Sequence, residues 1–184
     1  SGAAVSVADG MVSLGIGTDT GGSCRIPAAY CGVTGYKSSH GRVPLTGTYP
    51  LSPSLDTIGP LANSVACCAA ADAIMAGDWD GVVPPRNLEG LRLAVLKDFV
   101  LDGLQAPVEA AFGRALKCFE TAGAVISEMA FPELRELPGI NSKGGILASE
   151  ALHQHRALIA SDGASYDPWV RTRILMAEGI LAAD

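Results

Sequence analysis

Residues 91–129, LRLAVLKDFVLDGLQAPVEAAFGRALKCFETAGAVISEM, decide the fold class. Residues 91–96 alternate apolar and polar positions like a half-buried strand, and Pro107 opens a helix reaching about Ala122. Gly123 then ends that helix, and residues 124–129 read as a second strand. A strand, a crossover helix and another strand make a β-α-β unit, the element of a largely parallel sheet. Upstream, Asn63 or Ser64 is placed to cap a helix through Cys67, Cys68, Ala71, Ile74 and Met75, with Gly77 where a helix stops. Residues 3–8 read as the end of a buried helix, 11–16 as a strand, 27–30 as one helical turn and 33–37 as another strand. Residues 38–60, rich in Gly, Pro, Ser and Thr, read as a long ordered loop or a set of short turns, and residues 140–160 and 168–182 as two amphipathic helices. The expected fold is α/β, a mixed β-sheet core surrounded by helices. No repeat or linker divides residues 1–184, so one domain is expected.

Composition narrows the class further. With 184 residues the chain is long enough to bury roughly 70% of its unfolded surface. A hydrophobic content of 48% and a charged content of 17% describe a packed globular protein. The net charge of -6 comes from scattered acidic residues, and no basic run could track a phosphate backbone, so direct nucleic-acid binding is not expected. The five cysteines form no C-x-x-C pair and no His-rich spacing. Neither a metal site nor a disulfide framework is expected, and reduced thiols in a cytoplasm are the simplest reading. No apolar stretch approaches the ~20 residues that cross a bilayer, so no membrane role is expected.

Between Gly15 and Gly22 the chain becomes glycine-rich, a loop shaped for something to approach its main chain. It opens the run GTDTGGSCRIPAA at 17–29, followed by YCGVTGYK at 30–37, GRVP at 41–44 and SLDTIGPLA at 54–62. A lone G-G-S would be an ordinary strand-to-helix turn that happens to hold serine. Together, the four stretches resemble the amidase signature family over roughly the first third of the chain. The resemblance implies the amidase signature fold, Ser23 as nucleophile, and hydrolysis of the C–N bond of a linear amide through an acyl-serine intermediate, with no cofactor. It also implies that the chain is a piece of a longer enzyme, beginning after the natural start and stopping before the natural end, and inactive by itself.

Physical chemistry supports the same assignment. Attack on an amide carbonyl develops an oxyanion, and preorganised backbone N–H groups are suited to hold it. A glycine-rich turn leading into serine supplies donors and nucleophile together. By the resemblance, the amides of Thr20, Gly21, Gly22 and Ser23 line the oxyanion hole, Asp19 organises the loop by accepting hydrogen bonds, and Arg25 braces it.

The family activates its serine through a second serine, held on a cis peptide, and a neutral lysine. The register places the bridging serine just before Ser1 and the lysine farther upstream, so both are expected outside this chain. Lys37 follows Ser23 in a strand-like motif and reads as structural or solvated. A histidine triad is the alternative, and the chain holds His40, His153 and His155. The run lacks the closing glycine of G-x-S-x-G, His40 reads as a surface residue, and His153 and His155 diverge on a helix. Cys67 and Cys68 read as core residues.

The expected partner is a small-molecule amide, and a homodimer is left open. Two other readings stand beside the hydrolase: the glutaminase component of a tRNA-dependent amidotransferase, and a non-catalytic domain that kept the loop and lost the machinery.

Overall fold

A computed structural model describes residues 1–78, 84 and 86–181. Packing divides the chain into two compact units, Ser1–Val83 together with Lys143–Asp184, and Pro84–Ser142.

The first unit begins with helix α1, Gly2–Ala8, which buries Ala4 and Val7. Strand β1, Leu14–Thr18, follows. It starts three residues later than the expected 11–16, because the amides of Met11 and Val12 still donate back to the carbonyl of Ser6, at 2.9 and 3.2 Å, and are lost to any ladder. Helix α2, Arg25–Cys31, exceeds the single turn expected at 27–30, since the amide of Ile26 already donates to Gly22 at 2.7 Å. Strand β2 shrinks to Thr34–Gly35.

The segment expected as a loop to residue 60 ends instead in a strand: β3, Ile58–Ala62, the centre of a three-stranded sheet. β3 pairs antiparallel with β1, from Leu14 opposite Ala62 to Thr18 opposite Ile58, and antiparallel with β2, Thr34 opposite Ala62. β1 and β2 therefore run in one direction on either side of it, with α2 as the crossover. Helix α3, Val65–Met75, is capped by the Ser64 hydroxyl, which accepts from the amide of Cys67. Cys68 is buried as expected, but Cys67 faces solvent, because neighbours on a helix point about 100° apart.

Ala4, Cys24, Ala28 and Leu61 form the core under the sheet, with Ala3, Cys31 and Val33 packed at its edge. Small side chains let α1, α2 and β3 approach closely, and Leu61, 1% exposed, supplies the bulk. Burying that one leucine is worth about 2 kcal/mol. At Gly59 a Cβ would run into the carbonyl oxygen of Tyr36, so β3 and the segment after β2 are held closer than a side chain allows.

The second unit is the expected β-α-β element: β4, Arg92–Leu96, helix α4, Ala106–Thr121, and β5, Val125–Met129. β4 and β5 are parallel, from Arg92 opposite Val125 to Leu96 opposite Met129. A short helix α5, Leu137–Ile140, follows a 3-10 turn at Pro132–Glu136.

Returning to the first unit, helix α6 spans Gly145–Asp162 and helix α7 Pro168–Leu175. α6 starts five residues after the expected Ile140, beyond Gly144 in a left-handed conformation. α7 ends in a 3-10 turn, Met176–Gly179, and position 182 of the expected helix lies outside the described residues. Ala148, Ala151, Leu152, Ile174 and Ala177 join the two helices, and Leu51, from the segment before β3, packs against them.

Candidate active site

β1 delivers the chain into the glycine-rich loop at Asp19, and α2 takes it away at Arg25. Asp19 is fully buried, and its carboxylate organises everything between. One oxygen, Oδ1, accepts from the amide of Gly22 at 2.6 Å and from Arg25 Nη2 at 3.0 Å. The other, Oδ2, accepts from the amides of Cys24 and Arg25, at 3.2 and 3.4 Å, and from Arg25 Nε at 2.9 Å. Arg25 thus grips the carboxylate with two nitrogens of its fork while its own side chain stays half in solvent. Burial pushes the Asp19 carboxyl up, but the Arg25 bonds and the amides of Gly22 and Cys24 outweigh it and hold the group at about 2.

Two residues of the SLDT run, to which the sequence alone assigns no role, brace the loop from β3's side. The amide of Asp19 donates to the carbonyl of Thr57 at 2.8 Å, and the Thr57 hydroxyl donates to the carbonyl of Asp19 at 2.6 Å. Asp56 accepts from the Thr20 hydroxyl at 2.6 Å through Oδ1. Its Oδ2 accepts from the amides of Leu51 and Ser52, at 2.9 and 3.0 Å. Asp56 is buried, so one carboxylate fixes both the glycine-rich loop and the turn at residues 51–56. The sole signal in the sequence was the SLDT run itself, and nothing in it says which distant group its aspartate meets.

The loop presents Ser23 outward: it is exposed, and among the described residues its hydroxyl has no hydrogen-bond partner. The amides of Thr20, Gly21 and Ser23 are likewise unpartnered among the described residues. Gly22 differs from its expected role, because its N–H is taken up by Asp19 at 2.6 Å. The loop therefore offers three free donors in place of four. The φ of Gly22, +121°, is one that L side chains rarely adopt, and a Cβ there would meet Ile26 Cδ1 at 2.5 Å. Gly22→Ala is accordingly expected to displace the loop and reduce turnover in the complete protein by about a hundredfold. Steady-state kinetics beside a thermal melt checks this, and an unchanged rate in an intact fold would refute it.

The other candidate residues lie apart from this arrangement. His40 is exposed and contacts the carbonyl of Pro53 at 3.3 Å, while His155 bonds the Tyr166 hydroxyl through Nδ1 at 2.7 Å. None of the three histidines is hydrogen-bonded to Ser23. Lys37 donates to the carbonyl of Ser38 at 2.8 Å. Cys24, next to the serine, is buried and contacts the carbonyl of Gly59 through sulfur. Burial, and then the Asp19 charge, push its thiol up to about 11, so it is no competing nucleophile. No group of metal-ligating side chains occurs among the described residues.

The family model described as Amidase matches residues 1–174. The chain belongs to the amidase family. One component of the glutamyl-tRNA(Gln) amidotransferase of Chromohalobacter salexigens is 40% identical over 71% of the chain, which covers 30% of that protein. A 2-amino-5-chloromuconic acid deaminase from Comamonas testosteroni is 35% identical over 100% of the chain and 40% of its own length. Among solved structures, an amidase superposes with a TM-score of 0.86 at 33% identity, over 99% of this chain and 41% of that one. The peptide amidase of Stenotrophomonas maltophilia gives 0.73 at 27% identity, over 100% and 44%. The chain thus spans less than half the length of these amidase relatives, and it has their mixed α/β fold.

Proposed function

We propose that this chain carries the nucleophile and the oxyanion-binding amides of a serine amidase acting on a small linear amide. The observation that carries the reading is the exposed Ser23 hydroxyl beside the unpartnered amides of Thr20, Gly21 and Ser23, on a loop pinned from inside by Asp19 and Arg25. Ser23 Oγ loses its proton to a base as it attacks the amide carbonyl, and the three amides receive the oxyanion. Collapse expels the amine, which takes up the proton, and water then cleaves the acyl-Ser23 ester. Because these donors are fixed before the substrate arrives, little reorganisation is needed as charge develops; each is worth about 3 kcal/mol to the transition state. Asp19 and Arg25 take no proton in this scheme and serve to shape the loop.

The base is the family's lysine, working through a bridging serine, both of which the resemblance puts ahead of Ser1. That lysine must be neutral, which requires burial to lower a reference pKa of about 10.4 toward neutrality. A cytoplasmic location fits five cysteines that are all free thiols. No described helix is long and apolar enough to cross a membrane.

A second reading is favoured by the amidotransferase relatives: a glutaminase component that passes ammonia to a partner. Turnover of simple amides by the protein alone supports the hydrolase, whereas dependence on glutamine and on a co-purifying partner supports the second reading. The direct test is to treat the complete protein with a serine-directed phosphonate and locate the adduct by peptide mass spectrometry. Modification at Ser23 is expected, and an adduct elsewhere with Ser23 untouched would overturn the assignment.

A further inference from the structure

Helix α6 reaches the turn at residues 51–56 through one carboxylate. Glu150 accepts from the Ser52 hydroxyl at 2.5 Å and from the amide of Ser54 at 3.1 Å, and its other oxygen accepts from the Ser54 hydroxyl. Ser52 is fully buried, and its carbonyl accepts from the amides of Leu55 and Asp56, at 2.8 and 2.7 Å, closing the turn. Asp56 in turn accepts from the amides of Leu51 and Ser52 and from the Thr20 hydroxyl. An unbroken run of hydrogen bonds therefore leads from Glu150 through Ser52 and Asp56 to Thr20, whose amide is one of the three free donors. One turn before Glu150, Leu147 Cδ1 lies 3.7 Å from where a Cβ on Gly21 would stand, so the same helix also meets the loop directly. α6 does not need Glu150 to dock on α7, because Ala148, Ala151 and Leu152 pack against Ile174 and Ala177 there. Three donors from one turn satisfy the Glu150 carboxylate, the fully buried Ser52 hydroxyl among them, and hydrogen bonds to a charged group contribute more than those between neutral groups. Its three partners also hold it below the ordinary carboxylate range.

We propose that Glu150 is a positioning residue of the reaction: by fixing the turn at residues 51–56 it sets Asp56, and through Asp56 the placement of Thr20 and Gly21 at the oxyanion. The proposal rests on the reading of Ser23 and its neighbouring amides as the reacting centre. Misplacing such donors by about 1 Å costs roughly tenfold to a hundredfold in rate.

The test compares Glu150→Ala, Glu150→Gln and Ser23→Ala in the complete protein, using a simple aliphatic amide. Rates of wild type and the Glu150 variants are counted per site titrated with a serine-directed phosphonate, so a misfolded fraction does not register, and the rate of Ser23→Ala is counted per mole of folded protein. Glu150→Ala is expected to lose kcat by roughly tenfold to a hundredfold, with KM shifted less than about threefold. Glu150→Gln, which keeps an acceptor for the Ser54 amide, is expected to recover most of that loss. Amide hydrogen exchange over residues 18–24 is expected to speed up in the alanine variant and return toward wild type in the glutamine variant. Wild-type kcat per titrated site in Glu150→Ala, or unchanged exchange over residues 18–24, overturns the proposal. If Ser23→Ala keeps its turnover, the nucleophile reading falls, and the exchange measurement by itself then decides whether Glu150 fixes the loop.

Discussion

Replacing Ser23 by alanine in the complete protein is expected to cut amide turnover by at least about 10⁴-fold while leaving the fold intact. Removing the nucleophile leaves the free amides in place, so substrate still binds, but no acyl intermediate can form. The hydroxyl is exposed and has no partner among the described residues, so its loss should change stability by less than about 0.5 kcal/mol. Kinetics and a urea melt on the same preparation separate the two effects. Turnover near wild type would sink the assignment, and a large loss of stability would show that the serine supports the loop as well as the chemistry.

Removing the Asp19 carboxylate should do damage of both kinds. Asp19→Ala strips the acceptor from the amides of Gly22 and Cys24 and from the Arg25 fork, all at once. Buried N–H groups left without acceptors cost about 1–3 kcal/mol each, so destabilisation of roughly 3 kcal/mol is expected, together with a fall in kcat above about a hundredfold. Asp19→Asn, which keeps one acceptor oxygen, should fall between alanine and wild type.

The same carboxylate gives a pH signature. Its folded pKa of about 2 lies below the ordinary 3.8, so the folded state binds fewer protons than the unfolded chain. That contribution is fully present above pH ~4 and is lost as the pH falls through about 2, amounting to roughly 2 kcal/mol. Urea melts of wild type and Asp19→Asn across that window should converge at the acid end. Parallel curves would mean that another group holds the loop.

The β-α-β element from β4 to β5 and the helix capped by Ser64 were legible because their signals are local: a proline at a helix start, a serine cap, a period that changes from two to 3.6. β3 was not. Ile58-Gly59-Pro60-Leu61-Ala62 carries a glycine and a proline, both strand-poor, and shows no alternation because its burial runs nearly unbroken. Only its place between two partners makes it a strand, and that is a property of the fold. In the site, the GTDTGGS run marked the serine and its loop, and Asp19 and Arg25 are 6 residues apart, so their pairing was within reach. Asp56 meets Thr20 across 36 residues, and Glu150 meets Ser52 across 98. Pairings at that range leave no periodic trace in one sequence. The engagement of the Gly22 amide was invisible for a different reason: a motif shows that glycine is required but not whether its N–H points at a ligand or at the protein itself.

The burial of Cys24 has a consequence for how the glycine-rich loop withstands its surroundings. The sulfur beside Ser23 is shut in under the sheet and protonated across the whole physiological range, whereas Cys67 and Cys118 stand at the surface. Alkylating agents and peroxides act on accessible thiolates. Oxidation therefore falls first on the exposed Cys67 and Cys118, while the sulfur of Cys24, next to Ser23, is spared.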